Sequence, residues 1–146
     1  MKKLQLEILT QEDRVFTGEV DLVLAPSSEG QIGILPGHAS LLTKLNAGEL
    51  FIFFGPRIEV LALGGGILDV HNDQISVLAD SAVRADEIDI YKVEEAKKKA
   101  EEALKQKLST REYALAEADL RQAVMELKVA RRRHFSRSVL DEYHGS

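Results

Sequence analysis

The residue types most able to do chemistry in this chain are its four histidines, and their positions give no catalytic or metal-binding pattern. His38, His71, His134 and His144 lie far apart, and no two have the spacing of zinc ligands. The serines and carboxylates form no recognisable nucleophile or acid–base arrangement. The 146 residues include no cysteine, which excludes disulfides and thiolate chemistry. The sequence therefore predicts no catalytic residue and no metal site, so the chain is not expected to be an enzyme by itself.

Two glycine-rich stretches, residues 30–37 and 64–66, could in principle hold a phosphate group. Neither has the G-x-x-x-x-G-K-[ST] pattern of a phosphate-binding loop, and neither is followed by the start of a helix. Both lie between short apolar segments, where glycine usually serves a tight turn. We therefore interpret both stretches as turns.

The charges are distributed unevenly along the chain. Residues 1–85 account for the whole net charge of −5, whereas residues 86–146 carry equal numbers of acidic and basic side chains. An acidic first half argues against general nucleic-acid binding. Near the C-terminus the segment 128–137 holds five cations and no acid, namely Lys128, Arg131, Arg132, Arg133 and Arg137. Such a segment either meets an anionic partner or forms a solvated helix end, and composition alone leaves both open.

The first half of the chain has the pattern of short β-strands. From residue 4 to about residue 79, apolar residues alternate with polar ones or form short apolar runs, and turns rich in Gly, Pro, Asn and Asp separate them. Many strands at this spacing predict an antiparallel sandwich or barrel. No apolar run approaches the ~20 residues of a membrane-spanning helix, so direct membrane insertion is not expected.

Beyond residue 85 the pattern becomes helical, with no proline and no glycine before Gly145. Apolar residues recur every three to four positions, and Ser109 with Glu112 fits the capping box that begins a helix. We predict two helices, near 87–107 and 110–135, that form an antiparallel hairpin. The expected stripes are Ile88, Tyr91, Ala96, Ala100, Leu104 and Leu108 on the first helix, and Tyr113, Ala116, Leu120, Ala123, Val124, Leu127 and Ala130 on the second.

These two halves predict an α+β protein with an N-terminal antiparallel β-sandwich, residues 1–85, and a C-terminal helical hairpin, residues 86–146. The facing helical stripes are rich in alanine, which buries less area than leucine, and burial is worth ~25 cal/mol per Å². The two helices should therefore hold each other only moderately.

Three segments, in order, resemble one known family. Residues 28–42 read S-E-G-Q-I-G-I-L-P-G-H-A-S-L-L, similar to the S-E-G-E-[LI]-G-I-L-P-G-H-A-P-L-L segment of the epsilon subunit of bacterial F-type ATP synthase. Residues 63–70 and 77–84 resemble that family's S-G-G-[IF]-L-E-V and V-L-A-D-x-A segments. The helical half continues in register, so the resemblance covers nearly the whole chain.

The resemblance implies a non-catalytic rotor subunit that binds the gamma subunit and the ring of c subunits and so couples proton-driven rotation to ATP synthesis. It also implies a peripheral location on the cytoplasmic face of the bacterial plasma membrane. The implied contacts with gamma and the c-ring fall on one segment: Glu29, Gln31, Ile32, Leu35, Pro36 and His38. Gln31 stands where the family commonly has glutamate, so a charge would be lost there while hydrogen bonding remains available.

The resemblance further implies that the helical hairpin can extend beside gamma and inhibit ATP hydrolysis. Lys128, Arg131, Arg132, Arg133 and Arg137 would then meet acidic surfaces of the alpha and beta subunits. The alternative is a helix end whose cations complement the helix dipole, worth ~0.3–1 kcal/mol.

Some family members bind ATP on this hairpin through an [IL]-D-x-x-R-A motif. Here Ile88 and Asp89 match, but Lys92 replaces the arginine, and the second helix has Gln122 and Glu126 where ATP-binding relatives carry arginine. Lysine lacks the bidentate fork of arginine, and a glutamate repels a triphosphate. No cofactor is therefore expected.

Two other classes remain open at this stage. The chain could be an ATP-sensing binding module, which an ATP titration would reveal. It could also be a β-sandwich adaptor with a helical tail, unrelated to ATP synthase. Co-purification with gamma would separate that hypothesis from the rotor subunit that the resemblance implies.

Overall fold

A computed structural model describes residues 2–144, with side chains described as far as Arg131. The chain divides into two compact units, Met1–Arg84 and Ala85–Ser146. The first unit contains the strands β1 (Leu4–Leu9), β2 (Arg14–Val20), β3 (Leu22–Ser27), β4 (Gly30–Ile34), β5 (Leu41–Phe54), β6 (Arg57–His71), β7 (Gln74–Ala79) and β8 (Ala82–Arg84). The second contains one 3-10 turn (Ala85–Glu87) and the helices α1 (Ile90–Leu104) and α2 (Thr110–His144). The predicted sandwich followed by two helices is confirmed.

The strands follow the order β2-β1-β7-β6-β5-β3-β4, with β8 paired to β6. Neighbouring strands are antiparallel except β1 and β7, which pair in parallel from Gln5 opposite Gln74 to Leu9 opposite Leu78. The prediction of a wholly antiparallel sandwich is therefore wrong for this pair. Five strands separate β1 from β7 along the chain, so no tight hairpin turn forces them to be antiparallel.

The two longest strands, β5 and β6, bend where they cross from one layer of the sandwich to the other. The break in their pairing lies between Leu45, opposite Gly66, and Ala47, opposite Gly64. Gly65 and Gly66 have positive φ angles of 108° and 151°. A β-carbon at Gly66 would lie 2.3 Å from the Leu78 carbonyl oxygen, so only glycine fits against β7 there.

The inner faces of the strands form one aliphatic core. Its members alternate along the strands with outward-facing residues, as expected for a sheet with one buried face. The largest fully buried side chains are Leu4, Leu6, Ile8, Ile34, Leu45, Leu50, Ile52, Leu61, Leu63, Leu68, Ile75 and Val20.

Local capping determines where each helix begins. Asp89 accepts hydrogen bonds from the Tyr91 and Lys92 amides, so α1 begins after Asp89 rather than near residue 87. The capping box before α2 is present, because the Glu112 amide donates to the Ser109 hydroxyl at 3.2 Å. The Ser109 hydroxyl in turn donates to the Glu112 carboxylate at 2.9 Å.

The predicted apolar stripes are correct only in part. Ile88, Ala100, Ala116, Ala123, Leu127 and Ala130 are buried, as expected. Tyr91, Tyr113 and Val124 are exposed, Ala96 is also exposed, and Val93 is buried instead. Alanine occurs on several faces of both helices, so periodicity alone wrongly predicted Tyr91 and Ala96 to be buried on α1 and missed Val93.

We predict that Gly66→Ala destabilises the sandwich severely, because the new methyl group meets backbone rather than a flexible side chain. The expected loss is about 3 kcal/mol or more, in the range of combined strain and overpacking. Urea unfolding of the full chain measures it. Gly18→Ala is the matched control, since its β-carbon would meet only Phe16 ring atoms at 3.6–3.7 Å. Equal stabilities of the two variants would contradict the role given to Gly66.

Candidate functional site

The segment with the family signature begins with the tight turn between β3 and β4. Ser27 and Gly30 are paired, so only Ser28 and Glu29 form the loop. The Ser27 hydroxyl donates to the Gly30 carbonyl at 2.5 Å and accepts from the Glu29 amide at 3.2 Å. These bonds fix the turn and leave the Glu29 side chain exposed.

The segment ends in a second turn, at Leu35–His38. The His38 amide donates to the Leu35 carbonyl at 3.1 Å, and Gly37 has a φ of 87°. Proline at the second position and a positive φ at the third are typical of a type II turn. Leu35, the first residue of this turn, is 58% exposed.

A residue far away in the sequence holds this second turn. The Gly37 amide donates to the Asp73 carboxylate at 2.7 Å. Asp73 lies in the two-residue turn between β6 and β7, and its own carbonyl accepts from the Gln5 amide at 2.8 Å. Its neighbour Asn72 also has a positive φ, as a two-residue hairpin turn of type I′ requires. The signature turn is therefore fastened to the adjacent hairpin.

The six predicted contact residues do not lie in one loop. Glu29 belongs to the first turn, and Gln31 and Ile32 belong to strand β4. The other three, Leu35, Pro36 and His38, belong to the second turn. Gln31 is exposed, whereas Ile32 is half-buried and packs against the core. Because β4 separates the two turns, Glu29 and His38 lie at opposite ends of an edge strand.

A second surface of the sandwich was missed by sequence reasoning. Leu42, Ile67 and Leu78 are exposed by 72%, 49% and 55%. They lie on β5, β6 and β7, and Ile67 is the pairing partner of Leu78. We call these three residues the outer apolar patch. The signal was present as the apolar pairs Leu41–Leu42, Ile67–Leu68 and Val77–Leu78, because one member of each pair in a strand must face outward.

The predicted inhibitory residues fall near the end of the described side chains. Lys128 and Arg131 are exposed on α2. The predicted roles of Arg132, Arg133 and Arg137 concern side chains outside the described part of the chain. All five residues therefore lie on α2, and the side-chain exposure is described for Lys128 and Arg131.

A groove of about 630 Å³ lies between α1 and α2, where the resemblance implies a nucleotide in some relatives. Its volume suits a small ligand, so charge rather than size decides the fit. Lys92 and Lys99 line one side, but Asp119 and Glu126 line the other.

The three residues of the predicted nucleotide motif are used differently in this structure. Ile88 is buried, and the Asp89 carboxylate is occupied by the first amides of α1. Only Lys92 faces the groove. The charges that line the groove, two ammonium groups and two carboxylates, give it no net positive charge to attract a triphosphate.

Among the residues that the structure describes, no cluster of three or more His, Asp or Glu side chains could hold a metal ion. Neither helix, over its described residues, combines the length and apolar character of a membrane span. One carboxyl group has a perturbed pKa. The Lys3 ammonium and the Gly55 amide both donate hydrogen bonds to the Asp21 carboxylate and lower its pKa. The bond from Gly55 joins the start of β3 to the β5–β6 turn.

Comparison with known proteins covers both units. Residues 3–85 match the model of the β-sandwich domain of the ATP synthase delta/epsilon chain, and residues 86–131 match its long α-helix domain. An ATP synthase epsilon chain of Dehalococcoides mccartyi is 49% identical over 91% of this chain and 96% of its own length. That of Herpetosiphon aurantiacus is 45% identical over 89% and 96%.

A solved structure gives the same fold at greater distance. A chain in the Euglena gracilis mitochondrial ATP synthase, a structure of its OSCP/F1/c-ring part, superposes with a TM-score of 0.72 at 20% identity. The match covers 91% of this chain and 81% of that one.

We predict that Asp73→Gly frees the signature turn without straining the β6–β7 turn, because glycine accepts the positive φ at this position. Amide hydrogen exchange at Gly37 should become about tenfold faster, the effect of losing one hydrogen bond to a charged acceptor. Asn72→Gly is the control, since it makes the same backbone change one residue earlier and keeps the Asp73 carboxylate. Unchanged exchange at Gly37 in Asp73→Gly would show that this bond does not hold the turn.

Proposed function

Because the chain belongs to the ATP synthase delta/epsilon chain family, we propose that it is a non-catalytic component of the central stalk that joins gamma to the c-ring. This family assignment excludes an unrelated adaptor. The observation that supports a binding role most directly is the outer apolar patch. The three large apolar side chains lie on adjacent strands, with Asp69 opposite Leu42 and Lys44 opposite Ile67. Exposed apolar side chains with polar neighbours of this kind are typical of a protein interface.

We assign the outer apolar patch to gamma and the signature turns to the c-ring. The patch lies on the strands that the glycine bend holds in place, so it offers a firm surface for a torque-bearing contact. Apart from Leu35 and Pro36, the signature turns consist of polar residues and glycine, and they are fixed by hydrogen bonds to Ser27 and Asp73. Fixed polar turns suit contact with the polar loops of a membrane ring. We accordingly propose a peripheral location, on the cytoplasmic face of the membrane.

We further propose that the helical hairpin inhibits ATP hydrolysis. An inhibitor of this kind needs two packings of similar energy. Among the described side chains, four of the seven buried on α1 and α2 are alanines and the others are Val93, Leu127 and Val129. Separating the helices therefore exposes less apolar area than a contact made of leucines would. The cations from Lys128 to Arg137 would meet acidic surfaces of the alpha and beta subunits in the inhibited state.

The test is a chain truncated after Arg84. ATP synthesis should be largely retained, because the sandwich keeps both proposed contact surfaces. ATP hydrolysis should rise about fivefold or more, the lower range of a regulatory coupling. Paired synthesis and hydrolysis assays in membranes carrying each variant measure both. Unchanged hydrolysis would leave the hairpin a structural role only.

A charge variant separates the basic segment from the rest of the hairpin. Replacing Arg131, Arg132 and Arg133 by alanine should reproduce part of the rise in hydrolysis. The matched control replaces Lys97, Lys98 and Lys99 on α1, which removes the same charge. Equal effects of the two triple variants would mean that net charge, and not the end of α2, controls hydrolysis.

The groove between the helices yields a separate prediction about nucleotide. ATP titrated into the full chain should bind with a dissociation constant weaker than about 1 mM, because Asp119 and Glu126 repel the phosphates. The double variant Gln122→Arg with Glu126→Arg should bind ATP at least tenfold more tightly. Calorimetry measures both proteins. A wild-type constant below about 10 µM would contradict the misfit and favour the ATP-sensing module.

A further inference from the structure

Four charged side chains line the groove between α1 and α2, two on each helix. Lys92 and Lys99 on α1 are two helical turns apart, and so are Asp119 and Glu126 on α2. A short connection, residues 105–109, joins the antiparallel helices. Lys99 and Asp119 lie nearer to this connection, and Lys92 and Glu126 lie farther from it. Each lysine is therefore level with one carboxylate across the groove.

None of these four charged groups takes part in an ion pair within the described part of the chain. The ion pairs described in the hairpin each join two residues of the same helix, one turn apart. The Glu126 carboxylate accepts a hydrogen bond from the Gln122 side-chain amide at 3.1 Å, which also lies within α2. The lysines of α1 and the carboxylates of α2 are therefore available to attract each other across the groove.

The alanines between these charges make such an attraction important. Ala100, Ala116 and Ala123 line the groove and are buried. An alanine side chain removes little apolar area from water, so each of these positions contributes little to the helix–helix contact. Small side chains also let two helix axes approach to the short end of the usual range of about 8–10 Å. Charges on the two sides of the groove are then close enough to add to the contact.

We propose that Lys92 with Glu126, and Lys99 with Asp119, form an electrostatic latch across the groove. The latch holds α1 against α2 and makes the packing of the hairpin depend on ionic strength. Both lysines and Asp119 are exposed and Glu126 is half-buried, so salt screens their attraction. Each pair should favour the packed hairpin by up to about fivefold, the upper range for exposed ion pairs. The latch concerns this chain alone, whereas its effect on ATP hydrolysis rests on the proposed function.

The salt dependence of hairpin packing tests the latch without altering it. The chain contains no cysteine, so Tyr91→Cys and Val124→Cys provide two sites for nitroxide labels, both exposed and outside the latch. Double electron–electron resonance then gives the ratio of separated to packed hairpins in the full chain. This ratio should rise about fivefold or more between about 10 mM and about 1 M NaCl, because the Debye length falls from about 30 to about 3 Å. A ratio that does not change with salt would overturn the latch.

Charge reversal in the labelled chain identifies the residues. Lys99→Glu should raise the ratio about fivefold or more at low salt, because attraction to Asp119 becomes repulsion. Lys98→Glu is the matched control, since it makes the same charge change one residue earlier, outside the groove lining. Adding Asp119→Lys to Lys99→Glu should restore the original ratio, which it would not do for a structural fault. The same cycle with Lys92→Glu and Glu126→Lys tests the other pair. Equal ratios in Lys98→Glu and Lys99→Glu, or no rescue, would overturn the pairing.

Hydrolysis assays in membranes separate the latch from the proposed function. The separated hairpin is the form that could extend beside gamma, so Lys99→Glu should lower ATP hydrolysis by up to the factor measured for the ratio, and Asp119→Lys should restore it. If the label distances respond as expected and hydrolysis does not, the latch is upheld and the proposed inhibitory role is wrong. If the distances do not respond while truncation after Arg84 still raises hydrolysis, the latch is wrong and the inhibitory role is upheld.

Discussion

The sandwich depends on the place where β6 passes from one layer to the other. A strand that serves both layers must bend sharply while its neighbours remain paired, and a side chain at the bend would collide with them. At Gly66 the collision would be with the Leu78 carbonyl and the Ala79 α-carbon, at 2.3 and 2.8 Å. Neither atom can move without breaking the pairing of β6 with β7. The fold therefore requires a residue without a side chain at position 66.

The same bend determines which residues of β6 face outward. Beyond Gly66 the strand continues with period two, so Leu68 and Val70 enter the core and Ile67 faces outward. A shift of one residue would reverse every side chain that follows. Because Ile67 is paired with Leu78, the bend also fixes the second member of the outer apolar patch. The core and the outer apolar patch are therefore specified together by one backbone feature.

Much of this architecture could be predicted from the sequence, because its signals are local. The alternation of apolar and polar residues predicted the strands, and the capping box of Ser109 and Glu112 predicted the start of α2. The parallel pairing of β1 with β7 could not be predicted, since it joins segments about 70 residues apart. The bond from Gly37 to Asp73 is hidden for the same reason, although each turn was visible by itself. On α1, alanine occurs on more than one face, so the sequence does not show which face is buried. In the structure Val93 is buried and Tyr91 is exposed.

The two units differ in what holds them, and that difference matches the roles proposed for them. Large aliphatic side chains fill the sandwich, so any deformation opens cavities at a cost of several kcal/mol. On α1 and α2, alanine accounts for four of the seven buried side chains described, so each buried residue there contributes less apolar area on average. Each helix is nevertheless secured at its own N-terminus, by Asp89 or by Ser109, through bonds that span only two or three residues. These caps remain intact when the contact between the helices is lost. In the inhibitory role proposed for the hairpin, the helices would change their packing while both segments stay helical.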